Sequence, residues 1–198
     1  MHCLNGPTPP SDITLGIFAG GRASRLGGID KAWLERDGVP QVVRFARRFA
    51  AETGYVLVSA NRDLQRYAGQ DLPVVADRTS DAGPLGGLDA IVHACHTPWL
   101  MTLPVDLVGV NECLLPTLIA EAADNGAYAE DENGPQPLVA LWRVDTVRSA
   151  IQAALANCDL AVHTLQARLG MRCVRFNGVR FGNLNTLSDL EVAGFPAP

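Results

Sequence analysis

"GIFAGGRASRLGGIDKAW", residues 16–33, places five glycines, two arginines and one lysine directly after an apolar run. Glycine lets the main chain approach a ligand closely, and Arg and Lys supply donors to an anion, so the stretch reads as a strand running into a phosphate-binding loop. Two familiar loops do not fit it. A P-loop needs G-x-x-x-x-G-K-[ST], but Gly28 is followed by Ile29, Asp30 and Lys31, with Ala32 where the metal-binding hydroxyl belongs. A dinucleotide fingerprint needs G-x-G-x-x-G, and neither Gly20 nor Gly21 begins that spacing, which disfavours a nicotinamide enzyme. What stands there is long enough to wrap a triphosphate.

The flanking runs set the fold class. "ITLGIF", "YVLVSA", "LPVVA" and "PWLMTLP" are short, partly β-branched and bounded by Gly, Pro, Asn or Asp, as buried strands of a parallel sheet are. Between them, "VPQVVRFARRFAAE" and "PLGGLDAIVHAC" carry apolar residues at helical spacing. Alternating strand and helix implies right-handed crossovers and a three-layer α/β/α architecture, Rossmann-like, with a mostly parallel sheet and ligands at the carboxyl ends of the strands. Further on, "NECLLPTLIAEAADN" predicts a helix capped by Asn111, "PQPLVALWR" a strand, "TVRSAIQAALAN" and "LAVHTLQARLG" helices, and "MRCVRF" a closing strand, with "EDENG" an acidic loop.

A chain of 198 residues suffices for one well-buried core, and no internal repeat or linker divides it. Residues 1–11, with Gly6, Pro7, Pro9 and Pro10, read as a flexible lead-in without helix or strand, and 12–198 as a single domain. A net charge of −5 argues against a nucleic-acid or membrane binder, which displaces counterions with a broad basic surface, so an anion must be held locally. The longest apolar runs are a few residues, and "MHCLNGPTPPSD" lacks the features of an export signal; a cytoplasmic location is expected. Cys3, Cys95, Cys113, Cys158 and Cys173 form no C-x-x-C pair and read as reduced packing residues. His93 and His96 beside Cys95 lack a second ligand pair to complete a zinc tetrahedron.

"FAGGRASRLGGIDK" resembles the L-A-G-G-[RK]-x-x-R-[ML]-G-G-x-D-K signature of the molybdenum cofactor guanylyltransferases, a family of nucleotidyltransferases, with Phe18 replacing leucine. The resemblance extends in the family's order through "VSANR" (Asn61), "ADRTSDAGPLGGL" (Asp77, Gly83, Pro84, Leu85), "LPVD" (Asp106) and "FGNLNTLSDL" (Asn183, Asn185, Thr186), from residue 13 to about 190. The set is more specific than the first loop alone, which the wider class shares in degenerate form.

The resemblance implies transfer of GMP from Mg-GTP to the terminal phosphate of molybdopterin, with Mg²⁺ as cofactor and GTP and molybdopterin as substrates. Transient contact with molybdoenzymes or other cofactor-biosynthesis proteins would follow. It implies that Phe18, Ala19, Gly20, Gly21, Arg22, Lys31, Asn61, Asp77, Gly83, Pro84, Leu85 and Asp106 surround the nucleotide, that Lys31, Arg25 and Asp106 act in catalysis, and that Asp106 holds the metal. Asn183, Asn185 and Thr186 would border the pterin. The residues agree with these roles. Amides of Gly20 and Gly21 can solvate phosphate oxygens, Arg25 and Lys31 can offset charge on leaving pyrophosphate, and a strand-end carboxylate such as Asp106 can hold Mg²⁺. Asn61 and Asp77 can pair with the N1–H and N2–H₂ donors of guanine, or can form turns; Asn183, Asn185 and Thr186 can bond a pterin edge, or cap a helix beginning near Leu187. Where the family reads P-C-D-x-P, this chain has Pro104-Val105-Asp106-Leu107-Val108, and Gln136 stands where histidine is common.

Other readings of the same residues are a CTP-dependent molybdopterin cytidylyltransferase, a sugar-1-phosphate nucleotidyltransferase and a non-catalytic module that delivers nucleotide or cofactor. Relatives using CTP tend to carry A-A-G in place of Ala19-Gly20-Gly21, and the sugar enzymes carry a threonine-containing G-x-G-T-R loop. A delivery module needs neither Lys31 nor Asp106.

Overall fold

The computed structural model describes residues 8–20 and 28–196. The chain runs β1 (Ile13–Phe18), β2 (Glu35–Arg36), β3 (Val39–Pro40), α1 (Gln41–Phe49), β4 (Tyr55–Ser59), α2 (Leu64–Ala68), β5 (Val74–Val75), α3 (Gly83–Ala94), β6 (Trp99–Pro104), β7 (Leu107–Val108), α4 (Leu114–Glu121), β8 (Gly126–Asp131), β9 (Gly134–Arg143), α5 (Val144–Ala156), α6 (Val162–Arg168), β10 (Arg172–Arg175), β11 (Gly182–Asn183) and α7 (Leu187–Val192). Seven strands form one sheet in the order β10-β8-β9-β6-β1-β4-β5. Within it β9 is antiparallel to both neighbours, β6 and β8, and the other pairings are parallel. The expected mostly parallel α/β architecture is what forms.

Strand periodicity divides the core into two layers. Ile13, Leu15 and Ile17 of β1 face one side, where they meet Val42, Phe45 and Phe49 of α1 and Leu114, Leu115 and Leu118 of α4. On the other side Leu85, Leu88 and Ile91 of α3 pack with Val147 and Ile151 of α5 and Leu165 of α6. In α1, Val42, Phe45 and Phe49 share one helical face, and burying each contributes about 1.5–3 kcal/mol of transfer free energy. Arg47 and Arg48 occupy its last turn, where positive charge suits the helix dipole.

The chain leaves β1 through α1 to β4, continues outward to β5, then returns through α3 to β6 on the opposite side of β1. The strand order therefore reverses at β1, which opens a crevice at its carboxyl end, the place where open α/β sheets bind ligands. The crevice floor is tied down by main-chain bonds: the Ala19 amide donates to Ser59 at 2.8 Å and the Val105 amide to Phe18 at 2.9 Å. Helix α3 comes close to this edge because Gly87 has no side chain; a Cβ there would stand 2.8 Å from Ser59 Oγ and 3.1 Å from the Phe18 ring.

Three local expectations are corrected. Residues Pro10–Asp12 form a 3-10 turn, with Pro10 in its first turn where no amide is needed, and Ser11 lies close against Gly54. Helix α4 begins at Leu114 after Cys113, and Asn111 Oδ1 accepts from the Cys113 amide at 3.1 Å, so Asn111 closes the preceding turn without capping the helix. Glu130 and Asp131 of the expected acidic loop complete β8, since strand pairing with β9 continues through Asp131 and Gly134.

Candidate active site

A cavity of about 710 Å³ opens at the carboxyl ends of β1, β4 and β6, a size suited to a nucleotide. On one wall, Asp30 accepts from the Ala32 amide at 3.0 Å and so caps the 3-10 turn Lys31–Trp33. The turn aims Lys31 across the crevice, where Nζ donates to Asp106 Oδ2 and to Asn185 Oδ1, each at 2.8 Å. Asp106 lies two residues beyond β6, and its carbonyl accepts from the Leu184 amide at 2.9 Å. Its neighbours Val105 and Leu107 are buried in the core, so the apolar residues in place of the family's cysteine and spacer anchor the carboxylate from below.

Across the cavity, Asn61 and Asp77 clasp each other. Asn61 Nδ2 donates to Asp77 Oδ2 and the Asp77 amide donates to Asn61 Oδ1, both at 2.9 Å. The adjacent turn brings Asp81 (φ 56°) and Gly83 (φ 57°), the first residue of α3, through the left-handed region, which Asp tolerates and Gly favours. That helix starts without a side-chain cap and its first residues, Gly83 and Pro84, line the cavity.

A third segment closes the Asn185 side. Strand β11 pairs antiparallel with β7, setting Asn183 opposite Leu107. Thr186 caps α7 in a reciprocal box: its hydroxyl accepts from the Asp189 amide at 3.2 Å while Asp189 Oδ2 accepts from the amides of Thr186 at 2.7 Å and Asn185 at 3.0 Å. Hydrogen bonding with the Thr186 side chain, reinforced by those amides, holds Asp189 below the usual carboxylate range. Farther back, the buried Asp131 accepts from the amides of Phe181 at 2.7 Å and Asn133 at 2.9 Å and from Gln136 Nε2 at 3.1 Å. Burial alone raises this acid, but the hydrogen bonds from Phe181, Gln136 and Asn133 outweigh it and keep it ionised. The β8–β9 hairpin thus holds the strap that delivers Asn183 and Asn185.

The described cavity wall includes four carboxylates, from Asp30, Asp77, Asp81 and Asp106, against the cations of Lys31 and Arg62. Among the described residues no group of three or more His, Cys, Asp and Glu gathers into a metal cage. One strand-end carboxylate facing an open cavity fits a hard cation such as Mg²⁺, which is commonly held by one or two carboxylates together with substrate phosphates.

Residues 15–170 match the family model of the MobA-like NTP transferase domain. The molybdenum cofactor guanylyltransferase of Ralstonia nicotianae is 36% identical, the match spanning 92% of this chain and 96% of that protein. The chain belongs to the MobA-like NTP transferase family. Its fold is similar to that of molybdopterin-guanine dinucleotide biosynthesis protein A from Archaeoglobus fulgidus, with a TM-score of 0.70 at 16% identity, covering 91% of this chain and 96% of that one. It is also similar to the inositol-1-phosphate CTP transferase of T. maritima, with a TM-score of 0.73 at 11% identity, covering 91% and 92%. At these identities the likeness is one of fold, and the fold is shared by enzymes using different bases.

As a member of this family the chain is a nucleotidyltransferase, and the structure brings most of the motif residues together. Phe18, Ala19, Gly20, Lys31, Asn61, Asp77, Gly83, Pro84 and Asp106 line one cavity, and Asn185 joins it through Lys31. Gly21, Arg22 and Arg25 lie outside the described residues. Leu85 is fully buried among the core residues of α3, so its side chain packs the helix and does not line the cavity. Asn183 and Thr186 lie on the strap and at the start of α7, and neither lines the cavity. Sequence reasoning passed over Asp30, Ser59, Arg62, Tyr67 and Gly87, which do. Asp30 and Arg62 stand directly beside motif residues Lys31 and Asn61, which was the available signal; a buried tyrosine on a short helix gives none. No helix of the described residues is long and apolar enough to cross a membrane.

Proposed function

We propose that this MobA-like transferase moves GMP from Mg-GTP to the terminal phosphate of molybdopterin. A phosphate oxygen of the acceptor attacks the α-phosphorus, the bond from that phosphorus to the bridging oxygen of the β-phosphate breaks, and pyrophosphate leaves with the bond's electrons. The product is the guanine dinucleotide form of the cofactor. The observation that carries this reading is the reach of Lys31, whose ammonium donates to both Asp106 and Asn185 at 2.8 Å and so links a residue assigned to the nucleotide with one assigned to the acceptor. The relatives' activity and the order of motifs along the chain support it.

The attacking phosphate is already anionic near neutral pH, so the chain need supply no general base; positioning and charge neutralisation carry the reaction. Lys31 holds the β- and γ-phosphates and takes up charge as pyrophosphate forms. Asp106 would hold Mg²⁺, which would supply positive charge to offset the negative charge of the phosphates around the reacting phosphorus. Asp77, steadied by Asn61, accepts from guanine N1–H and N2–H₂, and Asn185 bonds the acceptor without adding charge. On the same reading residues 12–198 form one nucleotidyltransferase domain and the protein works in the cytoplasm.

Base selection tests the reading. With Mg²⁺ present, calorimetry should show GTP bound at least tenfold more tightly than CTP or ATP, because a carboxylate placed for two donors is left unpaired by the other bases. Equal affinity for GTP and CTP would contradict the guanine assignment.

A further inference from the structure

Two carboxylates are buried among the described residues, Asp131 and Asp89. Asp131 holds the strap, whereas Asp89 has no part in the site as built so far. It lies within α3 beside the buried Leu88 and Ala90 and is 4% exposed. Its Oδ1 accepts from Gln152 Nε2 of α5 at 2.8 Å, and its Oδ2 pairs with the Arg78 guanidinium at 3.3 Å. An apolar side chain here would avoid desolvating a charge, and a buried ion pair adds little net stability over packed apolar groups. Stability alone does not account for the pair.

What it does follows from where Arg78 stands. Arg78 is the residue after Asp77 in the loop that joins β5 to α3, and residues 78–81 are exposed, so core burial does not hold them. On the β4 side Asp77 is tied to Asn61, but those two bonds lie at the surface, where water competes for both partners. On the other side the loop lies directly on α3: the Thr79 carbonyl oxygen and Asp77 Cγ stand 3.2 and 3.5 Å from the point a Cβ on Gly86 would occupy. Asp89 is three residues beyond Gly86 and so shares its helical face. Its charge, shielded from water, grips the loop through Arg78.

We infer that Arg78 and Asp89 are positioning residues for base recognition. The Asn61 clasp and the Arg78–Asp89 pair hold Asp77 from two sides with α3 beneath it, so the carboxylate meets guanine in one fixed place. Neither residue of the pair lines the cavity; both act through Asp77. The inference rests on the function proposed above, in which Asp77 reads the base.

Two variants separate positioning from stability. Arg78→Met strands the buried Asp89 charge and should lower the unfolding temperature; adding Asp89→Asn, which keeps the bond from Gln152 and removes the charge, should recover most of it. Base recognition should not recover. Calorimetry with Mg²⁺ should show GTP bound about fivefold or more weakly by both the single and the double variant, the scale of coupling between residues in contact, with CTP and inorganic tripolyphosphate bound as by the parent. Parental preference for GTP over CTP in the stable double variant would overturn the inference and leave the pair a structural tie. Equal losses for GTP and tripolyphosphate would overturn it too, because the damage would then lie outside base recognition. A parent protein without preference for GTP fails the function proposed above and this inference with it, whereas a selective parent with an equally selective double variant removes the pair alone.

Discussion

Lys31→Ala should lower the single-turnover rate of guanylyl transfer by roughly a hundredfold or more while weakening Mg-GTP binding by about tenfold or less. The asymmetry comes from where negative charge builds. In the ground state the triphosphate shares its charge among several contacts; as the α–β bond breaks, charge moves onto the departing pyrophosphate, and an ammonium fixed beside it interacts more strongly. Lys31 is preorganised for this task, because the turn capped by Asp30 and the bonds to Asp106 and Asn185 fix its direction before substrate arrives. Rapid-quench measurement of product at saturating GTP reads the chemical step, and equilibrium titration reads affinity. A rate that stays at the parent value while affinity falls would make Lys31 a binding residue only.

Asp106→Asn should cost about a hundredfold or more in turnover at limiting Mg²⁺, with part of the loss recovered as Mg²⁺ is raised. The substitution keeps the size of the side chain and an oxygen able to accept from Lys31, and it leaves the backbone bond from Leu184 untouched, so the crevice should keep its shape. What disappears is the anionic oxygen that Mg²⁺ prefers. Asn is also tolerated in the turn between β6 and β7, which circular dichroism would verify. Turnover against Mg²⁺ concentration for both proteins is the measurement. A variant with parental turnover at limiting Mg²⁺ would show that Asp106 is a turn residue and that the metal is held elsewhere.

What the sequence made legible follows from what each residue does locally. Strands β1, β4, β5 and β6 are bounded, β-branched apolar runs, and α1 and α3 carry apolar faces, so both kinds of element declare themselves. Strand β8, "GAYAED", does not: Ala127 and Ala129 are fully buried, but small residues carry little periodic signal, and pairing with β9 makes them a strand. The site divides in the same way. Lys31, Asp77 and Asp106 were recognisable by residue type and order, whereas the contact between Lys31 and Asn185, 154 positions apart, depends on the β7–β11 pairing that no short motif encodes. Leu85 sits inside a motif yet serves the core, and Tyr67 sits outside every motif yet lines the cavity, because a motif records order along the chain and a cavity wall is assembled from its ends.

The most direct test of the account is the identity of the product. Purified protein is mixed with Mg²⁺, molybdopterin and GTP, CTP or ATP in separate reactions, pyrophosphate release is followed, and the products are identified by mass. The account predicts pyrophosphate and a molybdopterin guanine dinucleotide from GTP, with at most a few per cent of that rate from CTP or ATP. Pyrophosphate and a cytosine dinucleotide from CTP alone would contradict the base assignment, and GTP binding without any release of pyrophosphate would contradict catalysis.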